Sequence, residues 1–224
     1  MNTASLRFLS VALVIVLLAS CGESSPSRDP RLPAPEDSAA AARTLVLGLD
    51  GMMALRSYHA LAELQFGPQR TTLEGDFTPA GIDFFVNRLD GMKYRYRMVQ
   101  NQPWRSTDGG TTWAKDSANE TLAAADLVLG PISPEAQLAR QGKPSVVGMD
   151  TIAGQEATHI RIAAPSPIDV WVGREKPDGP VGVRRIRSAV DVADPNSYAT
   201  ITYSAFNAPR IIPLPDEAKQ NTFQ

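Results

Sequence analysis

The sequence predicts an α+β domain built around one large, curled antiparallel sheet whose apolar face is covered by helices. Three observations predict it. Several segments alternate apolar and polar residues with a period of two, as strands with one wet face do. Gly, Pro, Asn and Asp punctuate those segments. Helix-favouring stretches stand apart from them, one before the first group of strands and one between the two groups.

The chain has 224 residues, a formal charge of −2 and a single cysteine. Arg7 is followed by the apolar run Phe8–Leu18. That run is too short for a transmembrane helix, which needs about 20 residues. It has the length and basic start of a secretory signal, so residues 1–20 are read as a leader. Removing them leaves 204 residues, enough for one domain with a real core. The leader carries one base and no acid, so the charge of the remainder is −3. Mild acidity of this kind argues against a nucleic-acid partner, which requires a clustered basic surface.

One cysteine excludes an intramolecular disulfide. Leu18-Ala19-Ser20-Cys21 matches the bacterial lipobox, and the polar stretch GESSPS follows at once. In such signals the thiol takes a diacylglycerol group and the freed amine is usually acylated. Each buried methylene contributes about 0.8 kcal/mol, so two or more chains hold a protein to a membrane where one does not. Cys21 is thus expected to be the lipidation site and the membrane the first partner. Gly22 in place of an aspartate leaves both the plasma membrane and the outer membrane open as the site, on the exported side.

Residues 21–40 are read as a tether. GESSPSRDPRLPAPED contains one sizeable apolar residue and cannot bury enough surface to order itself. A helix is expected next, capped at Asp37 or Ser38, with Leu45, Leu49, Met52, Met53 and Leu55 as its apolar stripe. Gly48 and Gly51 are expected to weaken or bend it.

The strands follow. Tyr58, Ala60, Ala62, Leu64 and Phe66 share one face; so do Ile82, Phe84 and Val86. Met92, Tyr94, Tyr96 and Met98 alternate with Lys93, Arg95 and Arg97. ATHIRIA, IDVWVG, VGVRRIRSAV and YATITYSAF continue the pattern. Between the groups, NETLAAADLVLGPISPEAQLARQG reads as one or two short helices, capped near Ser117 or Asn119, broken at Gly130-Pro131 and restarted at Pro134. About eight to eleven strands in one sheet curl. Helices seated tightly in the trough give a plain core; helices seated loosely leave an apolar cavity that accepts an acyl chain. The pattern is compatible with both.

SerThrAspGlyGlyThrThrTrp, Ser106–Trp113, matches the Asp-box of sialidases, but it occurs once and a six-bladed propeller needs more chain than this. A hairpin explains it: Asp108-Gly109-Gly110 supplies the turn and Trp113 packs across the strand pair. His59 and His159 lack metal-ligand spacing, and there is no CxxC, HExxH or G-x-S-x-G. No metal, cofactor or catalytic residue is expected. Arg184, Arg185 and Arg187, with the Lys93 row, suit either lipid phosphates or a solvated strand face. Trp171 shares its parity with Asp169, on the outer face or at the rim.

MMALRSYHALAEL, the hairpin ending in Trp113, VVGMDTIAGQEATHIRI, IDVWVG, RRIRSAV and YSAFNAPRIIPLP together resemble the LppX/LprG-type lipoproteins and the wider LolA/LolB-like superfamily. The resemblance covers roughly residues 41–216. It implies a half-open antiparallel barrel capped by helices, here residues 41–224, with an apolar cavity for acylated lipid or for the acyl chains of lipoproteins. It brings no catalytic residues. Walls of such a cavity would come from Leu64, Phe66, Phe84 and Val86, from Tyr94, Tyr96 and Met98, from Leu127 in the insert, and from Ile160, Ile162, Val170 and Val172. The function implied is transport of lipid across or within the cell envelope. An envelope sensor or structural lipoprotein, binding a protein partner through a filled fold, is the alternative.

Overall fold

The computed structural model describes residues 35–87, 91, 93–116, 143–163, 167–189, 194 and 196–215. Cys21, most of the tether, the 117–142 insert with Leu127, and Met92 lie outside the described residues. The described chain begins with a helix, α1 (Pro35–Met53). Eleven strands follow: β1 (Tyr58–Phe66), β2 (Gln69–Thr78), β3 (Gly81–Asn87), β4 (Lys93–Val99), β5 (Gln102–Ser106), β6 (Ala114–Lys115), β7 (Lys143–Ile152), β8 (Gln155–Ala163), β9 (Ile168–Arg174), β10 (Val181–Ala189) and β11 (Tyr198–Ser204).

All eleven form one antiparallel sheet in the order β6-β5-β4-β3-β2-β1-β11-β10-β9-β8-β7. Each half is a simple meander. The halves meet where β1 pairs with β11, from His59 opposite Ser204 to Gln65 opposite Tyr198. β6 and β7 are the free edges, so the sheet does not close. Adjacent strands twist relative to one another, and the apolar face, the one on which α1 lies, is termed the inner face. The described fold is therefore mostly β with a single helix, and the expectation of several helices over the sheet holds for α1 alone among the described residues.

Helix α1 starts at Pro35, inside the stretch read as tether; proline suits the first turn of a helix because its missing N–H has no helical partner there. Ser38 Oγ donates to the Pro144 carbonyl of β7 at 3.0 Å. Ala41, Leu45, Leu49 and Met52 are buried. Met53, read as part of that stripe, is 58 % exposed, because it lies away from the sheet, and Leu55 falls beyond the helix end. α1 runs unbroken through Gly48 and Gly51. Their role is contact: a Cβ on Gly48 would stand 2.7 Å from Val172 Cγ1, and one on Gly51 would stand 2.0 Å from the Val181 carbonyl oxygen. Bare backbone at these two positions lets the helix sit directly on β9 and β10.

Candidate functional site

The inner face is read from the register. β1 presents Tyr58, Ala60, Ala62 and Leu64, opposite Phe77, Gly75, Leu73 and Thr71 of β2. β2 continues to β3 with Phe77 opposite Ile82, Gly75 opposite Phe84 and Leu73 opposite Val86. β3 continues to β4 with Ile82 opposite Met98, Phe84 opposite Tyr96 and Val86 opposite Tyr94. β4 turns into β5 through Gln100 and Asn101, both with positive φ (54° and 62°), as a two-residue hairpin turn requires. That turn sets Met98 opposite Pro103 and Tyr96 opposite Arg105.

The face has two unlike halves. α1 packs on β7 and β10, and less on β9 and β8. Beneath it Ile160, Ile162, Val170 and Val172, four of the residues expected to wall a cavity, are fully buried with Val183 and Ile186 in one continuous core. In the β1–β5 half Tyr58, Ala60, Ala62, Leu73, Phe77, Ile82 and Phe84 are buried in that same core, and Phe84 stacks on Tyr96 with ring centroids 5.2 Å apart. Around it Leu64, Val86, Tyr94, Tyr96 and Met98 are only half-buried, and Phe66, at the rim, is 42 % exposed. Most of these pack against the edge of the core. Where the halves meet, beyond the end of α1, Met52, Leu55, Tyr58, Phe77 and Pro79 line a notch of about 200 Å³. That is smaller than a usual small-molecule site.

The outer face is polar and internally paired. Asp83 of β3 receives both Arg95 (2.8 Å twice) and Arg97 (2.6 Å). Arg97 stacks 4.6 Å from the Trp113 ring and donates to the Pro213 carbonyl; Arg95 lies 4.5 Å over Phe85. In the other half His159 sits between carboxylates, 2.9 Å from Asp169 and 3.3 Å from Asp150, and stacks on Trp171 at 4.4 Å. Trp171 Nε1 donates to Asp150 at 2.7 Å, which places Trp171 on the outer face. Burial pushes the Asp169 carboxyl up, but hydrogen bonds from Arg161 and His159 outweigh it and hold it below the usual range.

Arg184 fits neither expectation for the 184–187 arginines. A bulge between Val183 and Arg185 turns it inward, where it is 1 % exposed and donates to the Arg174 carbonyl at 2.7 Å. Burial lowers its basicity, opposed by the nearby Glu175 carboxylate. Arg185 and Arg187 do face outward, over Trp171 and Tyr198. Ser106–Trp113 forms the hairpin read from the sequence, with Gly109 and Gly110 at φ 76° and 102°. Asp108 accepts from Thr111 N, Thr112 N, and the Ser106 and Thr112 hydroxyls, and those bonds hold its carboxyl far below the usual range. Trp113 is buried and donates to the Gly110 carbonyl. All the acceptor capacity of Asp108 visible here serves the loop itself.

Among the described residues no group of three His, Cys, Asp or Glu side chains could hold a metal ion, and no helix is long and apolar enough to cross a membrane. Arg105, which the sequence pattern does not single out, lies on the same face as Tyr96. Its signal was the tight turn at Gln100-Asn101, which fixes its parity with Tyr96, but Gln-Asn does not advertise such a turn as Asn-Gly does.

No family model and no curated protein matches the chain in sequence. Solved structures match in fold. LprF from Mycobacterium bovis aligns over 82 % of this chain and 98 % of its own, with 17 % identity and a TM-score of 0.60. The lipoprotein LppX of Mycobacterium tuberculosis aligns over 78 % of this chain and 99 % of its own, with 17 % identity and a TM-score of 0.57. The resemblance carried by the sequence motifs is thus met in three dimensions: this chain has the fold of LprF and LppX, the LppX/LprG-type lipoproteins.

Proposed function

We propose that the protein is a lipid-binding lipoprotein of the cell envelope, without enzymatic activity, held to its membrane through an acylated Cys21. The observation that carries this reading is the inequality of the inner face. α1 is seated on β7 and β10, towards one side of the sheet, and apolar side chains on β1, β3 and β4 stay half-buried. Large half-buried apolar surface on the inside of a curled sheet suits acyl chains, whose burial is worth about 25 cal/mol per Å². Leu64, Val86, Tyr94, Tyr96 and Met98 are the proposed wall, with Phe66 at its mouth. Methionine and tyrosine there give an adaptable surface. Ile160, Ile162, Val170 and Val172 support the wall from the core. The fold shared with the lipoprotein LppX supports the same reading, and the transfer of lipid between membranes is its natural extension.

Native mass spectrometry of the full-length chain, extracted gently from membranes, tests both parts. The expected result is a protein carrying non-covalent lipid, with a covalent diacylglyceryl mass that Cys21→Ser removes. A chain that arrives empty and ignores added lipid overturns the carrier reading. It would favour a sensor or structural lipoprotein with a protein partner on the exported side of the membrane.

A further inference from the structure

Arg105 is placed unlike the other sheet arginines that lie at least partly buried. Arg95 and Arg97 share Asp83, Arg184 donates to backbone carbonyls, and Arg185 donates to the Thr202 hydroxyl. Arg105, on β5, lies instead on the inner face, directly opposite Tyr96 and next to Ala114 of β6. It is half-buried, and among the described residues it has no hydrogen-bonded or ion-paired partner. Its neighbours on that face are Tyr96, Pro103 and Met98, none of them anionic.

We infer that Arg105 binds the acidic headgroup of the lipid, a phosphate or a carboxylate, at the β5 end of the trough. The inference rests on the lipid-binding reading and narrows it to an anionic amphiphile. A guanidinium loses hydration when it is half-buried beside apolar rings, and a paired oxyanion restores what is lost through two parallel N–H···O bonds. Geometry favours this end. The wall of Tyr94, Tyr96 and Met98 runs along β4, and Arg105 sits one strand further out, beside the sheet edge, where a headgroup remains reachable by water. Acyl chains would then lie across β4 to β1, towards Leu64. The outer-face arginines cannot serve as the receptor, because their side chains point to the opposite side of the sheet and are already engaged.

The test uses three probes with identical palmitoyl chains: phosphatidylglycerol, the 3-succinyl ester of dipalmitoylglycerol, and dipalmitoylglycerol itself. The full-length chain is offered them in equimolar mixture and the bound fraction read by native mass spectrometry. The wild type is expected to take the acidic lipids over the neutral one by about tenfold, the scale of a charge-assisted pair. Phosphodiester against succinate tells which oxyanion is preferred. Arg105→Gln should bring the acidic-to-neutral ratio close to one, and Arg105→Lys should restore part of it, with circular dichroism checking that both variants fold. Equal occupancy by all three probes in the wild type, or an unchanged ratio in Arg105→Gln, overturns the headgroup inference while leaving the carrier reading intact. Binding of none of the probes overturns both.

Discussion

The two halves of the sheet are built from the same hairpin grammar and end in different states. From β8 to β10 the inner face is Ile and Val, β-branched and short, and α1 lies on it so closely that two helix positions have room only for glycine. From β1 to β4 the inner face mixes Tyr58, Ala60, Ala62, Leu73, Phe77, Ile82 and Phe84, buried in the same core, with Leu64, Val86, Tyr94, Tyr96 and Met98, which are half-buried and in part longer and more deformable. Stiff side chains and a glycine-bearing helix make a surface that fits one shape. Flexible thioethers and aromatic rings make a surface that accepts several. On the proposed lipid-binding reading, one half is the frame and the other the berth.

The sharpest way to break that division is to remove equivalent bulk from each side. Ile160→Ala, in the covered half, should cost about 2–5 kcal/mol, the range for a large-to-small change in a close-packed core. Met98→Ala, in the other half, should cost about 1 kcal/mol, as fits a side chain that is partly solvated in the folded state. Urea unfolding of the two variants checks this. Equal losses would show that both halves are ordinary core. Lipid occupancy should move the other way, falling in Met98→Ala and holding in Ile160→Ala.

Next in size is the helix contact. A methyl group on Gly51 would lie 2.0 Å from a backbone oxygen of β10, which cannot rotate aside. Gly51→Ala should therefore lift the C-terminal turn of α1, at about 3 kcal/mol, the upper part of the usual overpacking range, despite the better helix propensity of alanine. A thermal unfolding midpoint equal to or above that of the wild type would show that the close seat of α1 on β10 contributes nothing to stability.

Much of this was legible in the residues, and the limits have physical causes. Period-two runs marked β1, β3, β4 and β8 to β11 because each has one wet face. β2, Gln69–Thr78, was passed over: its inner positions are Thr71, Leu73, Gly75 and Phe77, so only two of four are large and apolar. Composition took Pro35–Ala40 for tether, while a proline at the first helical position is also a start signal. Gly48 and Gly51 read as weak points of a helix, whereas they are its contact points; propensity sees the chain alone and not the strand it meets. Arg184 suits lipid phosphates or a solvated strand face by sequence and does neither, because a bulge, invisible in the alternation, shifts parity by one. Of the proposed wall, Leu64, Val86, Tyr94, Tyr96 and Met98 follow from parity, but no pattern along the chain tells which half of a face its helix will choose.

The smallest expected effect lies on the outer face, and it separates the frame from the berth by pH. Asp169 in β9 bonds Arg161 and His159, and its carboxyl is held below the usual range despite burial. A carboxyl lowered on folding contributes stability that is fully present above its unfolded pKa, about 3.9, and is lost as pH falls through the folded value. The pair is partly solvated, so the contribution should be about 1 kcal/mol at most. Wild-type stability is expected to decline as pH falls below about 4, and Asp169→Asn should flatten that part of the profile while changing little at neutral pH beyond the same small loss. Lipid occupancy compared at one acidic and one neutral pH should be the same in Asp169→Asn as in the wild type, because Asp169 faces away from the trough. A variant that lost lipid in step with its acid stability would show the two faces to be coupled through the β8–β9 pair, and the division into frame and berth would have to be abandoned.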